Sequence, residues 1–153
     1  GGVHARHGKL PWGSAVAFGA FRPLPRGPPC IMGRRTGESL PHALPERQNI
    51  VVTRQRDYHA DGASVASSLD DALVRVEYPA PAFCIGGGEL YRIALPFAQT
   101  AFVTEIARAF DGDATFPALD AAQWRETGRE PRLQESAGGF SYAFVTYGLQ
   151  GGD

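Results

Sequence analysis

The chain has no acidic residue before Glu38, although Asp and Glu number 16 against 15 Lys and Arg over its 153 residues. The formal net charge of -1 excludes the basic excess by which proteins hold nucleic acid or an anionic bilayer. Cysteine is scarce, and Cys30 and Cys84 are too far apart for a C-x-x-C redox pair or a zinc spacing. Each lies in an apolar run, so both are expected as reduced core thiols, in keeping with a reducing cytoplasm. No apolar stretch approaches the ~18 residues of a membrane span, and the first residues lack the charged-then-apolar order of a secretory signal. His4, His7, His42 and His59 have no ligand spacing and are expected at the surface. No metal is expected.

What is present fits one globular domain spanning residues 1–153: 43% of residues are apolar and 20% charged. "NIVVTR" (49–54) and "ASVAS" (63–67) are short apolar runs bounded by polar residues and are predicted as strands. In "SSLDDALVRVEYP" the residues Leu69, Ala72, Leu73 and Val76 share one helical face. Ser68 and Asp71 form a capping-box start, Asp70 suits the positive helix end, and Pro79 is the predicted stop. "PAFCIGGGELYRIALP" gives a buried strand, three glycines and the start of a further helix. "TAFVTEIARAF" is another predicted strand, and "FSYAFVTYG" alternates as a strand with two unlike faces does. Strand–helix alternation in the middle and paired strands at the end predict an α/β sandwich with a mixed sheet.

The chemistry starts at "FCIGGGELY" (83–91). Glycines between a strand and a helix let the backbone approach a ligand and aim helix N–H groups at an anion. A tight turn without a ligand would use the same residues. "IMGRRTGESL" (31–40) repeats the arrangement, adding two arginines and a threonine. Two such helix starts at strand carboxyl ends would line a crevice for a diphosphate cofactor. The forked guanidinium groups of Arg34 and Arg35 suit an additional phosphate, which favours NADPH over NADH, unless they only face solvent.

A set of segments in order then resembles the bacterial dihydrofolate reductases: "LPW" (10–12), "IMGRRT" with "ES" (31–39), "LPERQNIVVTR" (44–54), "SLDDAL" (68–73), "IGGGELY" (85–91), "VTEI" (103–106), "DGDATFP" (111–117) and "SYAFVTY" (141–147). The resemblance implies a three-layer sandwich with a mixed, mainly parallel sheet and flanking helices. It implies reduction of 7,8-dihydrofolate to tetrahydrofolate, with hydride passing from NADPH to pterin C6 and a proton to N5. It also implies a monomer that takes antifolate-type small molecules. Carried over by residue, it assigns Trp12 to a loop over the nicotinamide, and Tyr91 and Thr104 to positions beside the nicotinamide and pterin. Gly33, Arg34, Arg35 and Thr36, then Thr53 and Arg54, match the diphosphate and 2′-phosphate contacts. Gly86, Gly87, Gly88, Glu89 and Leu90 match the second phosphate loop, with an unusual cis bond between its first two glycines. Phe21, Leu40, Leu44 and Ile85 match apolar walls around the substrate, with simple core packing as the alternative for each. Arg47 matches the arginine that grips the glutamate α-carboxylate.

All but one of the departures lie before Ile31. The family's active-site carboxylate, five residues after the Trp, is here Ala17, and no acid in residues 1–37 can replace it. Pro23, Pro25, Pro28 and Pro29 forbid the helix the family has there. The Trp of the family's T-W-E-S is Gly37, and "GGVHARHGK" offers no counterpart of the first, central strand. Residues 1–29 are therefore expected to be divergent or disordered, and the missing strand to weaken the sheet. Either a homologue has lost catalysis while keeping nucleotide binding, or residues 13–29 are out of frame, since identity lapses after Trp12 and resumes near Ile31 with spacing intact. A riboflavin-pathway pyrimidine reductase, which resembles the same fold and lacks the acid, is a further alternative.

Overall fold

The structure, a computed structural model, describes residues 14–21, 23–77, 81–106, 117–133 and 141–150. Its centre is one eight-stranded sheet with the order β4-β3-β2-β5-β1-β6-β8-β7. Four short strands run parallel: β2 (Cys30–Gly33), β3 (Asn49–Val52), β4 (Ser64–Ala66) and β5 (Ala82–Cys84). The buried apolar runs of β2, β3 and β5 are what strands covered on both faces require. Two of the connections are helical, α1 (Arg34–Ser39) and α2 (Leu69–Arg75).

Helix α2 starts as its sequence dictates. Ser68 Oγ accepts the Asp71 N–H at 3.0 Å, and the Asp71 carboxylate accepts the Ser67 N–H at 2.9 Å, which satisfies donors the helix leaves open. It ends before the predicted stop at Pro79, which lies outside the described residues. The Gln48 side chain ends it instead, donating to the Arg75 carbonyl and accepting the Glu77 N–H, each at 2.8 Å.

The central slot, expected to be vacant, is filled by β1 (Ala15–Phe18), all four residues of which are buried. These lie inside the segment expected to be divergent or disordered. β1 pairs antiparallel with both β5 and β6 (Thr100–Ile106), in registers such as Val16↔Cys84 and Ala15↔Phe102. The sheet is mixed, as expected, with six of its eight strands running one way; because β1 runs against its neighbours, three of the seven described pairings are parallel and four antiparallel. The cause lies in the link to β2. Residues 19–29 are rich in proline and form no described helix. Because β2 runs opposite to β1, that link joins strand ends on the same side of the sheet and needs no return across it, whereas a parallel arrangement needs a helical crossover.

On the far side β8 (Ser141–Leu149) runs antiparallel between β6 and β7 (Trp124–Leu133), which forms the edge. Side chains alternate across the sheet into two cores. Under α2 and α3 (Gly88–Ala94) lie Val16, Phe18, Ile31, Ile50, Cys84 and Tyr91. On the other face lie Ala15, Cys30, Met32, Val51 and Ile85, with Leu40, Leu44, Phe83, Phe102 and Phe144 packed against them. The cysteines thus sit on opposite faces as free, buried thiols, as expected. No helix among the described residues is long and apolar enough to cross a membrane.

Candidate functional site

The two glycine-gated helix starts meet at the carboxyl ends of β2 and β5. Gly33 precedes α1 and Gly87 precedes α3, each in extended backbone. The Gly33 N–H donates to the Gly86 carbonyl at 2.7 Å, which binds the two turns to each other. The Gly86–Gly87 peptide is cis, as the resemblance implied, and Gly86 has φ 116. A Cβ there would stand 3.3 Å from the Tyr91 ring, so only glycine suits the position. Cβ atoms at Gly33 and Gly87 would meet the opposite turn at 3.6 and 3.8 Å, the latter at Thr36 Oγ1. Glycine at both leaves the main chain of both turns open to a ligand.

Around this junction the structure gathers most of the predicted cofactor residues. Arg34, Arg35 and Thr36 form the first turn of α1, and Gly88, Glu89 and Leu90 the first turn of α3, so their N–H groups have no partner within the helix. Arg34 is bound at 3.1 Å to Glu38 one turn on, whereas Arg35 is exposed. Thr53 and Arg54 follow the carboxyl end of β3, beside that of β2, and Arg54 is exposed. The Leu90 side chain is buried in the core under α3, which leaves its backbone as the part able to face a ligand.

Tyr91 and Thr104 are brought together through Ser14, a residue that no sequence motif marks. The Tyr91 hydroxyl donates to the Ser14 carbonyl at 2.5 Å, and Ser14 Oγ accepts the Thr104 N–H at 3.2 Å. Burial pushes the Tyr91 phenol far above its ordinary pKa, and the nearby Cys84 adds to the shift, so Tyr91 acts as a neutral donor. The signal for Ser14 is the antiparallel course of β1, which brings its first residues to the carboxyl end of β5 and the middle of β6.

The four predicted wall residues share the sheet face opposite α2 and α3. Leu40, Leu44 and Ile85 belong to one apolar cluster, and Phe21 joins it through tilted ring contacts at 6.1 Å with Phe83 and 5.7 Å with Phe102. Phe21 is nonetheless 53% exposed, an apolar ring left facing solvent. Arg47 stands at the turn before β3, its Nε donating to the Pro45 carbonyl at 3.0 Å. Beside Leu40 a cleft of about 260 Å³ opens between the 40–43 and 58–63 loops. Trp12 and most of "DGDATFP" lie outside the described residues.

Ala17 is 0% exposed in the central strand, so its position is one of packing and backbone pairing. Asn49 is the one buried polar side chain among the described residues, and none of the buried ones is a carboxylate. Glu38 and Glu105 are engaged elsewhere, with Arg34 and Tyr58 and with Arg129 and Tyr147. Among the described residues no group of His, Cys, Asp or Glu could hold a metal ion. His42 and His59 are exposed, as expected.

The fold defines an open α/β sheet protein with two glycine-gated helix starts joined outside the carboxyl ends of its parallel strands, the end at which such sheets bind ligands. The family model for dihydrofolate reductase matches residues 2–149. The dihydrofolate reductase of Neisseria meningitidis serogroup A is 44% identical over 139 residues, covering 90% of this chain and 85% of that protein. The dihydrofolate reductase of Mycobacterium tuberculosis is 40% identical over 152 residues, covering 95% and 90%. Among solved structures, a dihydrofolate reductase from Enterococcus faecalis complexed with NADP(H) and RAB-propyl superposes with a TM-score of 0.70 at 27% identity, covering 80% of this chain and 74% of that one. The chain belongs to the dihydrofolate reductase family.

Proposed function

We propose that the chain uses NADPH to reduce 7,8-dihydrofolate to tetrahydrofolate, at a rate limited by the absence of an active-site carboxylate. The observation that carries this reading is the Gly33–Gly86 junction, where two open helix starts are bound back to back. The residues present fit the phosphates of NADPH. The first-turn N–H groups of α1 and α3 would meet the diphosphate, and Arg35 with Thr53 and Arg54 would meet the 2′-phosphate. Bound there, NADPH supplies the hydride for pterin C6.

The protein's own residues bind and orient. Leu40, Leu44, Ile85 and Phe21 give the substrate's rings an apolar wall, and Arg47 takes the glutamate α-carboxylate. Tyr91 and Thr104, tied through Ser14, border the place where nicotinamide and pterin meet. With Ala17 buried in the strand, no carboxylate among the described residues anchors the pterin N–H groups or favours protonation at N5. N5 then takes its proton from solvent, and the missing charged partner corresponds to about 2–5 kcal/mol of binding or transition-state stabilisation. The burial of Ala17 equally favours a second reading, in which the chain binds NADPH with no turnover at all.

The test pairs NADPH fluorescence titration with dihydrofolate-dependent NADPH oxidation, from mildly acidic to mildly alkaline pH. Binding together with slow turnover that quickens as pH falls is the expected result. Binding without turnover selects the second reading, and an absence of both sinks the two together.

A further inference from the structure

The buried Asn49 amide is wholly engaged with one turn. Its Oδ1 accepts the Leu44 N–H at 2.9 Å, and its Nδ2 donates to the carbonyls of Leu44 at 2.9 Å and Arg47 at 3.2 Å. The turn it closes contains Glu46 at φ 61, a left-handed conformation that a residue with a side chain keeps only where its surroundings enforce it. Main-chain groups at both ends of the turn are therefore fixed by one side chain from beneath.

A second contact holds the turn from the side. The Gly27 N–H donates to the Glu46 carbonyl at 2.9 Å. The Arg47 guanidinium lies across Gly27 so closely that a Cβ there would meet its Cζ at 3.0 Å, Nε at 3.1 Å and Nη2 at 3.2 Å. Arg47 Nε is already used within the turn, on the Pro45 carbonyl, so the terminal Nη groups are the part left to grip a carboxylate in the forked geometry arginine favours. Gly27 belongs to the stretch in which the family resemblance lapses. The segment that lost the carboxylate thus supplies one jaw of a clamp on the arginine.

We infer that Asn49 and Gly27 are positioning residues that hold the Arg47 guanidinium in place and so set the preference for substrates bearing a glutamate α-carboxylate. The inference rests on the reading of Arg47 as the carboxylate grip. A long, flexible side chain loses rotamer freedom when it binds, and fixing it beforehand removes that loss from the affinity.

The test compares equilibrium binding of folate and of pteroate, which lacks the glutamate, by quenching of intrinsic fluorescence. It uses the parent chain, Arg47→Ala, Asn49→Asp and Gly27→Ala. Asn49→Asp keeps the acceptor and loses both donations. Gly27→Ala meets only the movable end of a side chain, so it folds even if the Asn49 variant does not. The parent is expected to prefer folate by about tenfold or more, as a charge-assisted pair implies, and Arg47→Ala to abolish that preference. Asn49→Asp and Gly27→Ala should each cut it about threefold or more while pteroate binding stays at the parent's value. A preference unchanged in both, or a fall in both ligands together, overturns the inference while leaving Arg47's role intact. A parent without preference, or an Arg47→Ala variant that keeps it, overturns the reading of Arg47 and the clamp with it.

Discussion

Ala17→Asp is the substitution that the family comparison invites, and the fold predicts that it will fail. Ala17 is fully buried, paired with Phe83 on one side and Thr100 on the other, and its carbonyl already accepts the Gln99 N–H at 3.0 Å. A carboxylate there would be buried among main-chain donors already engaged in the ladder. The desolvation penalty of such a charge is several kcal/mol even after relaxation, and the added volume contributes about 1–3 kcal/mol more. Against a total stability of about 5–15 kcal/mol, the expected loss of about 5 kcal/mol or more leaves little cooperative folding at neutral pH. The sign of the pH dependence follows from the same burial. The buried carboxyl's pKa lies above the unfolded value of about 3.9, so stability falls by about 1.4 kcal/mol per pH unit from there up to the folded pKa. Circular dichroism and urea titration at about pH 4 and 7, with the parent alongside, should find the variant more ordered in acid. A variant that melts within a few degrees of the parent and gains dihydrofolate turnover would refute the placement of residue 17 in the central strand.

Gly86→Ala should lose about 1–3 kcal/mol, because φ 116 and a Cβ 3.3 Å from the Tyr91 ring both oppose a side chain. Its NADPH affinity in a fluorescence titration should fall about tenfold, and an unchanged value would disconnect the junction from cofactor binding. Burial pushes the Cys30 thiol up to about 11, partly offset by the Arg47 charge, and the Cys84 thiol up to about 12. Neither should react with Ellman's reagent in the folded chain at mildly alkaline pH, and both should react in urea; rapid labelling without denaturant would contradict their core placement. Ser68→Ala removes the acceptor for the Asp71 N–H and should lower stability by about 0.5–2 kcal/mol in urea, with no change in NADPH binding.

How far the sequence could be read depended on whether the information was local. Helix α2 was legible because its apolar spacing and its Ser68–Asp71 start lie within a few residues, and only its end was misjudged, since Gln48 acts there from a distant turn. The glycine turn at 86–88 was legible for the same reason. β7 was not: "WRETGREPRL" is charged, contains a proline and has a register shift between Glu126 and Gly128, the composition of an edge strand without an apolar alternation. β1 was hidden differently. "AVAF" is a short apolar run, but its direction and its place between β5 and β6 come from partners far along the chain. Ser14 and Gly27 follow from that placement, so each became visible only once the sheet was assembled, whereas Arg47 and Ile85 stood out through the family motif.

The central position of β1 also governs when the sheet can close. Its partners are residues 82–84 and 100–102, so a nascent chain synthesised only as far as α2 holds β1 with both edges bare. Exposed apolar edges of this kind invite pairing between chains, and contacts of such long sequence separation form slowly. β1 thus precedes both of its partners in the chain and stays unpaired until they follow. The yield of native protein should depend on whether chaperones cover that interval more than on any single contact in the finished fold.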